Sequence, residues 1–118
     1  MLKKALIVDD STVMRMMLKR ILRKNGFEVI GEADNGLMGV EKYRELNPDL
    51  VTLDITMPVM DGLTALKEIM KINRGANVVM VSAMGQQWFV DEALNYGAKG
   101  YLVKPFREEN VLKVLNGI

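Results

Sequence analysis

The feature of this chain that most constrains its fold is a fivefold alternation between short apolar runs and longer segments of helical periodicity. Four of the apolar runs are nearly uninterrupted, at residues 5–8, 50–53, 78–81 and 100–103. A continuous apolar run of this length indicates a strand that is covered on both faces, as in a parallel sheet. The fifth run, at 28–33, is flanked by charge and interrupted by Gly31, which predicts an edge strand.

The segments between these runs have the spacing of amphipathic helices, with apolar residues at i, i+3, i+4 and i+7. The predicted inner faces are Met14, Met17, Leu18 and Ile21, then Gly36, Gly39, Val40 and Tyr43, then Ala65, Leu66, Ile69 and Met70, then Val90, Ala93, Leu94 and Gly97, and finally Val111, Val114, Leu115 and Ile118. Trp88 and Lys113 fall on outward sides. The alternation predicts an α/β fold, a doubly wound five-stranded parallel sheet with five helices and right-handed crossovers.

Composition excludes several kinds of chemistry. The 118 residues contain no Cys and no His, so thiol nucleophiles, disulfides, imidazole bases and the common zinc ligand sets are absent. A net charge of +1 provides no basic field for nucleic acid, and no apolar run approaches the roughly 20 residues of a membrane span. The first residues have no signal-peptide cleavage pattern. We therefore expect a cytoplasmic domain that binds neither nucleic acid nor membrane.

Residues with reactive side chains follow the predicted strands. Asp9 and Asp10 follow the first strand, Asp54 the third, Ser82 the fourth and Lys104 the fifth. Sites in open α/β sheets form outside the carboxyl ends of the strands. If the first and third strands are neighbours, three carboxylates converge, and a divalent cation relieves their repulsion. Oxygen ligands favour Mg²⁺.

A pocket of carboxylates, magnesium, lysine and hydroxyl suits phosphoryl transfer to an aspartate, with Asp54 as the attacking group. Each residue also has a structural interpretation. Asp9 and Asp10 could lie at a solvated helix N-terminus, where acidic residues are favoured. Lys104 could be an ordinary surface lysine, and the Ser82 hydroxyl could satisfy a backbone group at the end of a strand. Only their combination, in this order along the chain, favours a functional site.

The chain resembles the receiver domain of two-component response regulators over essentially its whole length. The matching pieces are Asp9-Asp10, Asp54 with Met57-Pro58 and Asp61-Gly62, Ser82-Ala83, and Lys104-Pro105-Phe106. The resemblance implies a flavodoxin-like fold with strand order 2-1-3-4-5, an order that it supplies and the residues alone do not. We expect residues 1–118 to form a single receiver domain of the chemotaxis type.

For individual residues, the resemblance implies that Asp54 accepts a phosphoryl group from a phosphohistidine. Asp9, Asp10 and Asp54, with the backbone carbonyl of Thr56, would surround Mg²⁺. Lys104 would contact a phosphoryl oxygen, and its bond to Pro105 would be cis. The chain would catalyse its own phosphorylation and dephosphorylation, yet act primarily as a signalling switch.

The implied switch pairs Ser82 with Tyr101. Ser82 would move toward the phosphoryl group, and Tyr101 would rotate into the vacated space. The altered face, formed by the fourth helix, fifth strand and fifth helix, would bind the output partner through Trp88, Tyr101 and Lys113. Plain packing for Tyr101, solvation for Lys113 and stacking of Trp88 on Phe89 are the structural alternatives.

The expected partners are a sensor histidine kinase as phosphodonor, a flagellar motor switch protein or another output protein, and a phosphatase. We expect a monomer. Thr56 and Met84 occupy positions that influence the lifetime of the phosphoryl group in this family, but the residues present do not convert into a rate.

Four other functions remain open from the sequence. They are a phosphorelay intermediate, a phosphatase of the haloacid dehalogenase type, a flavodoxin-like electron carrier and a scaffold that is never phosphorylated. The electron carrier is disfavoured because Asp9 and Asp10 would repel a bound phosphate. The phosphatase is disfavoured because its nucleophile generally follows the first strand, whereas Asp54 follows the third.

Overall fold

A computed structural model describes residues 2–83 and 86–118 of the chain. Strands and helices alternate as predicted. They are β1 (Lys3–Val8), α1 (Thr12–Lys24), β2 (Phe27–Ala33), α2 (Gly36–Leu46), β3 (Leu50–Asp54), α3 (Gly62–Ile72), β4 (Val78–Ala83), α4 (Gln87–Asn95), β5 (Gly100–Lys104) and α5 (Glu108–Asn116).

All four strand pairings are parallel, and the sheet has the order β2-β1-β3-β4-β5. The predicted fold class and strand order are therefore confirmed, as is the edge position of β2. Because β1 and β3 are neighbours, their carboxyl ends lie side by side. The strand order reverses between these two strands, and open α/β sheets form their sites at such a point.

Apolar side chains bury the sheet on both faces. On one face, Leu6, Leu53 and Met80 pack with the inner sides of α2, α3 and α4. On the other face, Ile7 and Val81 pack with α1 and α5. The near-continuous apolar runs of β1, β3 and β4 follow from this two-sided cover.

Two predicted helix faces need correction at their ends. Leu94, assigned to the inner face of α4, is 39% exposed, and Ile118, assigned to α5, lies beyond the end of that helix at Asn116. Helical spacing identifies a face, but it does not show where the sheet beneath that face ends. Within residues 2–83 and 86–118, no helix is both long and apolar enough to cross a membrane.

Candidate functional site

The carboxyl edge of the sheet brings three predicted carboxylates together. Asp9, Asp10 and Asp54 each offer an oxygen, and these oxygens lie within 4.8 Å of one another. Lys104 reaches the same place from the end of β5, with its Nζ 3.3 Å from Asp9 Oδ2 and 3.4 Å from Asp54 Oδ2. Four residues from three distant segments of the sequence thus form one charged cluster.

Asp9 is buried and held by its backbone. Its N–H donates to the Ala33 carbonyl at 3.0 Å, and its Oδ1 accepts from the Ser11 N–H at 2.8 Å. Its Oδ2 is fully buried and accepts no hydrogen bond from the described residues, although Lys104 lies within ion-pair distance. A buried carboxylate oxygen without a hydrogen bond is costly. Its orientation toward two other carboxylates fits a metal ligand.

Asp54 is the last residue of β3 and is 4% exposed. Burial raises the pKa of its carboxyl from the usual 3.8 to about 6; the charge of Asp9 adds to the increase, and Lys104 opposes it.

The chain turns tightly after Asp54, since Gly62 N–H donates to the Ile55 carbonyl at 2.7 Å. A Cβ at Gly62 would collide with the Asp54 carbonyl. This close approach explains the glycine of the Asp61-Gly62 pair.

The donor set fits a hard divalent cation. Three carboxylates contribute only oxygen ligands, and the chain contains no Cys or His that would favour a softer metal. Thr56, predicted to add its carbonyl, is an exposed residue two positions beyond Asp54. Its hydroxyl accepts a hydrogen bond from Gln86 Nε2 at 2.8 Å, and the role of its carbonyl stays a prediction.

Ser82 and Tyr101 lie on adjacent strands and on the same face of the sheet. Ser82 pairs with Val103 and Met80 pairs with Tyr101, so alternation along both strands directs the two side chains toward α4. Ser82 is buried, and its hydroxyl donates to the Leu102 carbonyl at 3.5 Å. Tyr101 is 38% exposed. Ser82 and Tyr101 thus share a face of the sheet on neighbouring strands, with the tyrosine partly exposed, and their role as a switch pair stays a prediction.

The three residues predicted to bind a partner lie on α4, β5 and α5. Tyr101 and Lys113 line a groove of about 570 Å³ between β5 and α5. Trp88 is 61% exposed on α4 and also stacks on Phe89, with 3.8 Å between ring centroids. Trp88 is thus both exposed and stacked on its neighbour, and its role in binding a partner stays a prediction. Met84, which was assigned an influence on phosphoryl lifetime, lies outside the described residues.

Two residues at the site were missed by sequence reasoning. Arg15 has no place among the sequence-predicted site residues, but its guanidinium donates to the Asp9 carbonyl and pairs with Glu32. Gln86 joins two loops, because its amide accepts from the Ala83 N–H and donates to Thr56, both at 2.8 Å. The only sign of them in the sequence was that each is a polar residue soon after a predicted strand.

The Lys104–Pro105 bond is cis, as the resemblance implied.

Comparison with known proteins agrees with this geometry. The sequence profile of the response regulator receiver domain matches residues 5–116. The chain is 59% identical over 116 residues to the chemotaxis protein CheY of Bacillus subtilis, covering 98% of this chain and 97% of that one. It is 57% identical to CheY of Thermotoga maritima, with the same coverage.

Solved structures give the same result. A chain in the crystal structure of the CheX-CheY-BeF₃-Mg²⁺ complex from Borrelia burgdorferi superposes with a TM-score of 0.91 at 43% identity. The match covers 96% of this chain and 86% of that one. The response regulator domain of Thermotoga maritima CheB gives 0.87 at 37% identity, covering 99% and 96%.

The chain belongs to the response regulator receiver domain family. It is a phosphorylation-activated switch of a two-component system, of the type that controls chemotaxis. This prediction from the sequence is confirmed, and the relay and phosphatase alternatives are not favoured. Receiver domains bind Mg²⁺ in an acidic pocket, and the cluster of Asp9, Asp10 and Asp54 forms such a pocket here.

Proposed function

We propose that Asp54 is the phosphoryl acceptor of this switch, and that residues 1–118 act as one receiver unit. The observation that carries the proposal is a buried carboxylate at the end of a central strand, with an ammonium 3.4 Å away and two further carboxylates beside it. An aspartate in this setting is both shielded from water and close to the charges that a phosphoryl group needs.

In the proposed reaction, an Asp54 carboxylate oxygen forms a bond to phosphorus while the bond from phosphorus to the donor nitrogen breaks. The electron pair of that bond stays on the donor imidazole, which belongs to a sensor histidine kinase because this chain contains no His. Attack requires the ionised carboxylate. Since the pKa of Asp54 is about 6, most of the acceptor is ionised at neutral pH.

Charge on the transferred phosphoryl oxygens is neutralised from two sides. Lys104 Nζ lies 3.3 Å from Asp9 Oδ2 and 3.4 Å from Asp54 Oδ2, which supports its proposed contact with one phosphoryl oxygen. Asp9, Asp10, Asp54 and the Thr56 carbonyl would hold Mg²⁺, which when bound supplies positive charge to the phosphoryl oxygens. Ser82, near the end of the adjacent strand β4, is the proposed hydroxyl donor to a further oxygen.

Phosphorylation would then alter the face built by α4, β5 and α5. Movement of Ser82 toward the phosphoryl group opens space on the face of the sheet that Tyr101 shares with it. Inward rotation of Tyr101 shifts an existing equilibrium between two arrangements. Trp88, Tyr101 and Lys113 would present the altered face to a flagellar motor switch protein. A phosphatase that ends the signal is a further proposed partner.

Labelling with acetyl phosphate and Mg²⁺ tests the acceptor. Intact-mass measurement of the native chain should show one added phosphoryl group, and Asp54→Asn should show none. Asp34→Asn removes an exposed carboxylate near the end of β2 and should label like the native chain. Stoichiometric labelling of the Asp54→Asn chain would overturn the proposal.

A binding measurement separates chemotaxis from a relay role. The beryllofluoride-treated native chain should bind peptides from flagellar switch proteins more tightly than the untreated chain does. Equal binding by both forms, together with transfer of the phosphoryl group to a second histidine-containing domain, would instead support a phosphorelay intermediate.

A further inference from the structure

Arg15 lies outside the charged cluster and contacts it through the backbone carbonyl of Asp9. It lies in the first turn of α1, and its side chain is only 17% exposed. Nη1 donates to the Asp9 carbonyl at 2.5 Å, and Nη2 reaches the Thr12 hydroxyl at 3.4 Å. Nε donates to Glu32 Oε1 at 3.2 Å. The guanidinium thus joins the end of β1 to the edge strand β2.

Glu32 anchors this guanidinium from β2. Its carboxylate also pairs with Lys19, one turn further along α1, and its backbone carbonyl accepts from Lys42 of α2. Lys19 and Arg15 hold the pKa of Glu32 below its usual value; the hydrogen bond from Lys19 has the largest effect. Glu32 is therefore an ionised partner that holds the Arg15 guanidinium at β2.

The contact to Asp9 is with the carbonyl of the peptide that joins Asp9 to Asp10. The Asp9 N–H is held by Ala33 and its Oδ1 by Ser11, at 3.0 and 2.8 Å. Arg15 adds the restraint on the following peptide plane. Once that plane is set, the direction in which Asp10 leaves the strand is set with it. Asp10 itself is exposed, so packing restrains its side chain little.

We infer that Arg15, anchored by Glu32, is a positioning residue that orients the Asp9–Asp10 peptide and thereby strengthens Mg²⁺ binding. The inference rests on the proposed metal site. It assigns Arg15 no contact with the metal or the phosphoryl group. Partners behind metal ligands typically change metal affinity by about 10-fold to 100-fold when they are removed.

Simple electrostatics makes the opposite prediction for the same residue. A cation close to an acidic site repels Mg²⁺, so removing the charge of Arg15 should tighten metal binding if charge is all that matters. Positioning predicts weaker binding after the same change. The sign of the effect therefore separates the two explanations.

The test measures Mg²⁺ affinity by titration calorimetry at 0.15 M salt. Arg15→Gln should weaken binding by about 10-fold. Arg15→Lys keeps the charge but cannot join Asp9 to Glu32 through one planar group, so it should also weaken binding. Arg20→Gln, an exposed change on the same helix, is the matched control and should bind like the native chain or slightly more tightly.

A structural readout accompanies the affinity. In ¹⁵N-edited spectra of the metal-free chains, the Asp10 amide should shift in Arg15→Gln and stay unchanged in Arg20→Gln, because its peptide carries the Arg15 contact. Glu32→Gln should move the same amide. Thermal unfolding of each variant confirms that the chains compared are folded.

Three results would overturn the inference. They are tighter Mg²⁺ binding by Arg15→Gln, native affinity in that variant, or native affinity in Arg15→Lys combined with an unmoved Asp10 amide. If the native chain itself does not bind Mg²⁺, the proposed metal site fails and the inference fails with it. If the native chain binds Mg²⁺ and Arg15→Gln binds it with the same affinity, only the role of Arg15 is rejected and the proposed metal site stands.

Discussion

Two corners of the sheet edge flank Asp54, and their residues are held in different ways. In the metal corner, residues 9–15, Asp9 is fixed through its N–H, its carbonyl and one carboxylate oxygen, and Ser11 caps α1 by accepting from the Met14 N–H. In the switch corner, residues 82–83, 86–90 and 101, α4 begins without a side-chain cap. There, Ser82 makes one long hydrogen bond and Gln86 joins Ala83 to Thr56.

This contrast matches the two tasks of a receiver domain. A metal site works best when its ligands are already arranged, because binding then costs little reorganisation. A switch needs an element whose rearrangement costs little, and segments with few restraining contacts open most easily. We therefore expect the metal corner to keep its backbone on phosphorylation and the switch corner to change.

The largest expected effect comes from removing a proposed metal ligand, the exposed Asp10. Asp10→Asn should weaken Mg²⁺ binding by at least about 100-fold, because losing even a residue that supports a ligand costs up to about 100-fold. Titration calorimetry measures this change. Asp34→Asn, which removes another exposed carboxylate near this edge, should keep native affinity. Equal loss in both variants would show that net charge, and not ligation, controls the metal.

Lys104 forms ion pairs with Asp9 and Asp54, and its replacement should have the next largest effect. Lys104→Met should slow phosphorylation by acetyl phosphate about 100-fold, the usual cost of losing one charge-stabilising donor. In the metal-free native chain, the carboxyl of Asp54 should titrate with a pKa of about 6. Because Lys104 opposes that raised pKa, its loss should move the midpoint of this titration upward, as followed by ¹³C-edited NMR without Mg²⁺. Lys99→Met is the exposed control, and an unmoved midpoint would contradict the assigned contact.

Trp88 tests whether the switch corner carries the output. Trp88→Ala should weaken binding of flagellar switch peptides to the beryllofluoride-treated chain by about 30-fold, as for an aromatic binding hot spot. Phosphorylation should be unchanged, because Trp88 lies away from the carboxylates. Met16→Ala removes a similarly exposed apolar side chain, 64% exposed, from α1 and should not affect peptide binding. Parallel loss of labelling and binding in Trp88→Ala would reject this separation.

A further expected effect concerns the stability of the metal-free chain. Since folding raises the pKa of Asp54 from 3.8 to about 6, the folded chain binds this proton more tightly than the unfolded chain. The free energy of unfolding should therefore fall as pH rises from about 4 to 6. Asp54→Asn should remove this decline and stabilise the metal-free chain at pH 7 by about 3 kcal/mol, at 1.36 kcal/mol per pKa unit. Denaturant unfolding at both pH values measures it, and a less stable variant would contradict the cost of burying the Asp54 charge.

The predictive power of the sequence differs between these regions for physical reasons. Strand ends are local features, so Asp9, Asp54 and Lys104 could be assigned before the fold was known. Strand order depends on contacts between distant segments, and it was inferred only through the family resemblance. The pair between Arg15 and Glu32 joins residues 17 positions apart on different elements, which a helical wheel cannot detect. Leu94 and Ile118 were misplaced because periodicity does not reveal where the underlying sheet ends.

The central claim is that occupation of Asp54 changes the switch corner and leaves the metal corner in place. The most direct measurement is a ¹⁵N-edited NMR comparison of the Mg²⁺-loaded chain before and after beryllofluoride treatment, with Asp54→Asn as reference. Hydrogen-exchange rates should change at the Ser82 and Tyr101 amides and stay constant at the Asp9 amide, which is bonded to Ala33. Unchanged exchange at Ser82 and Tyr101, or the same changes in Asp54→Asn, would contradict the claim.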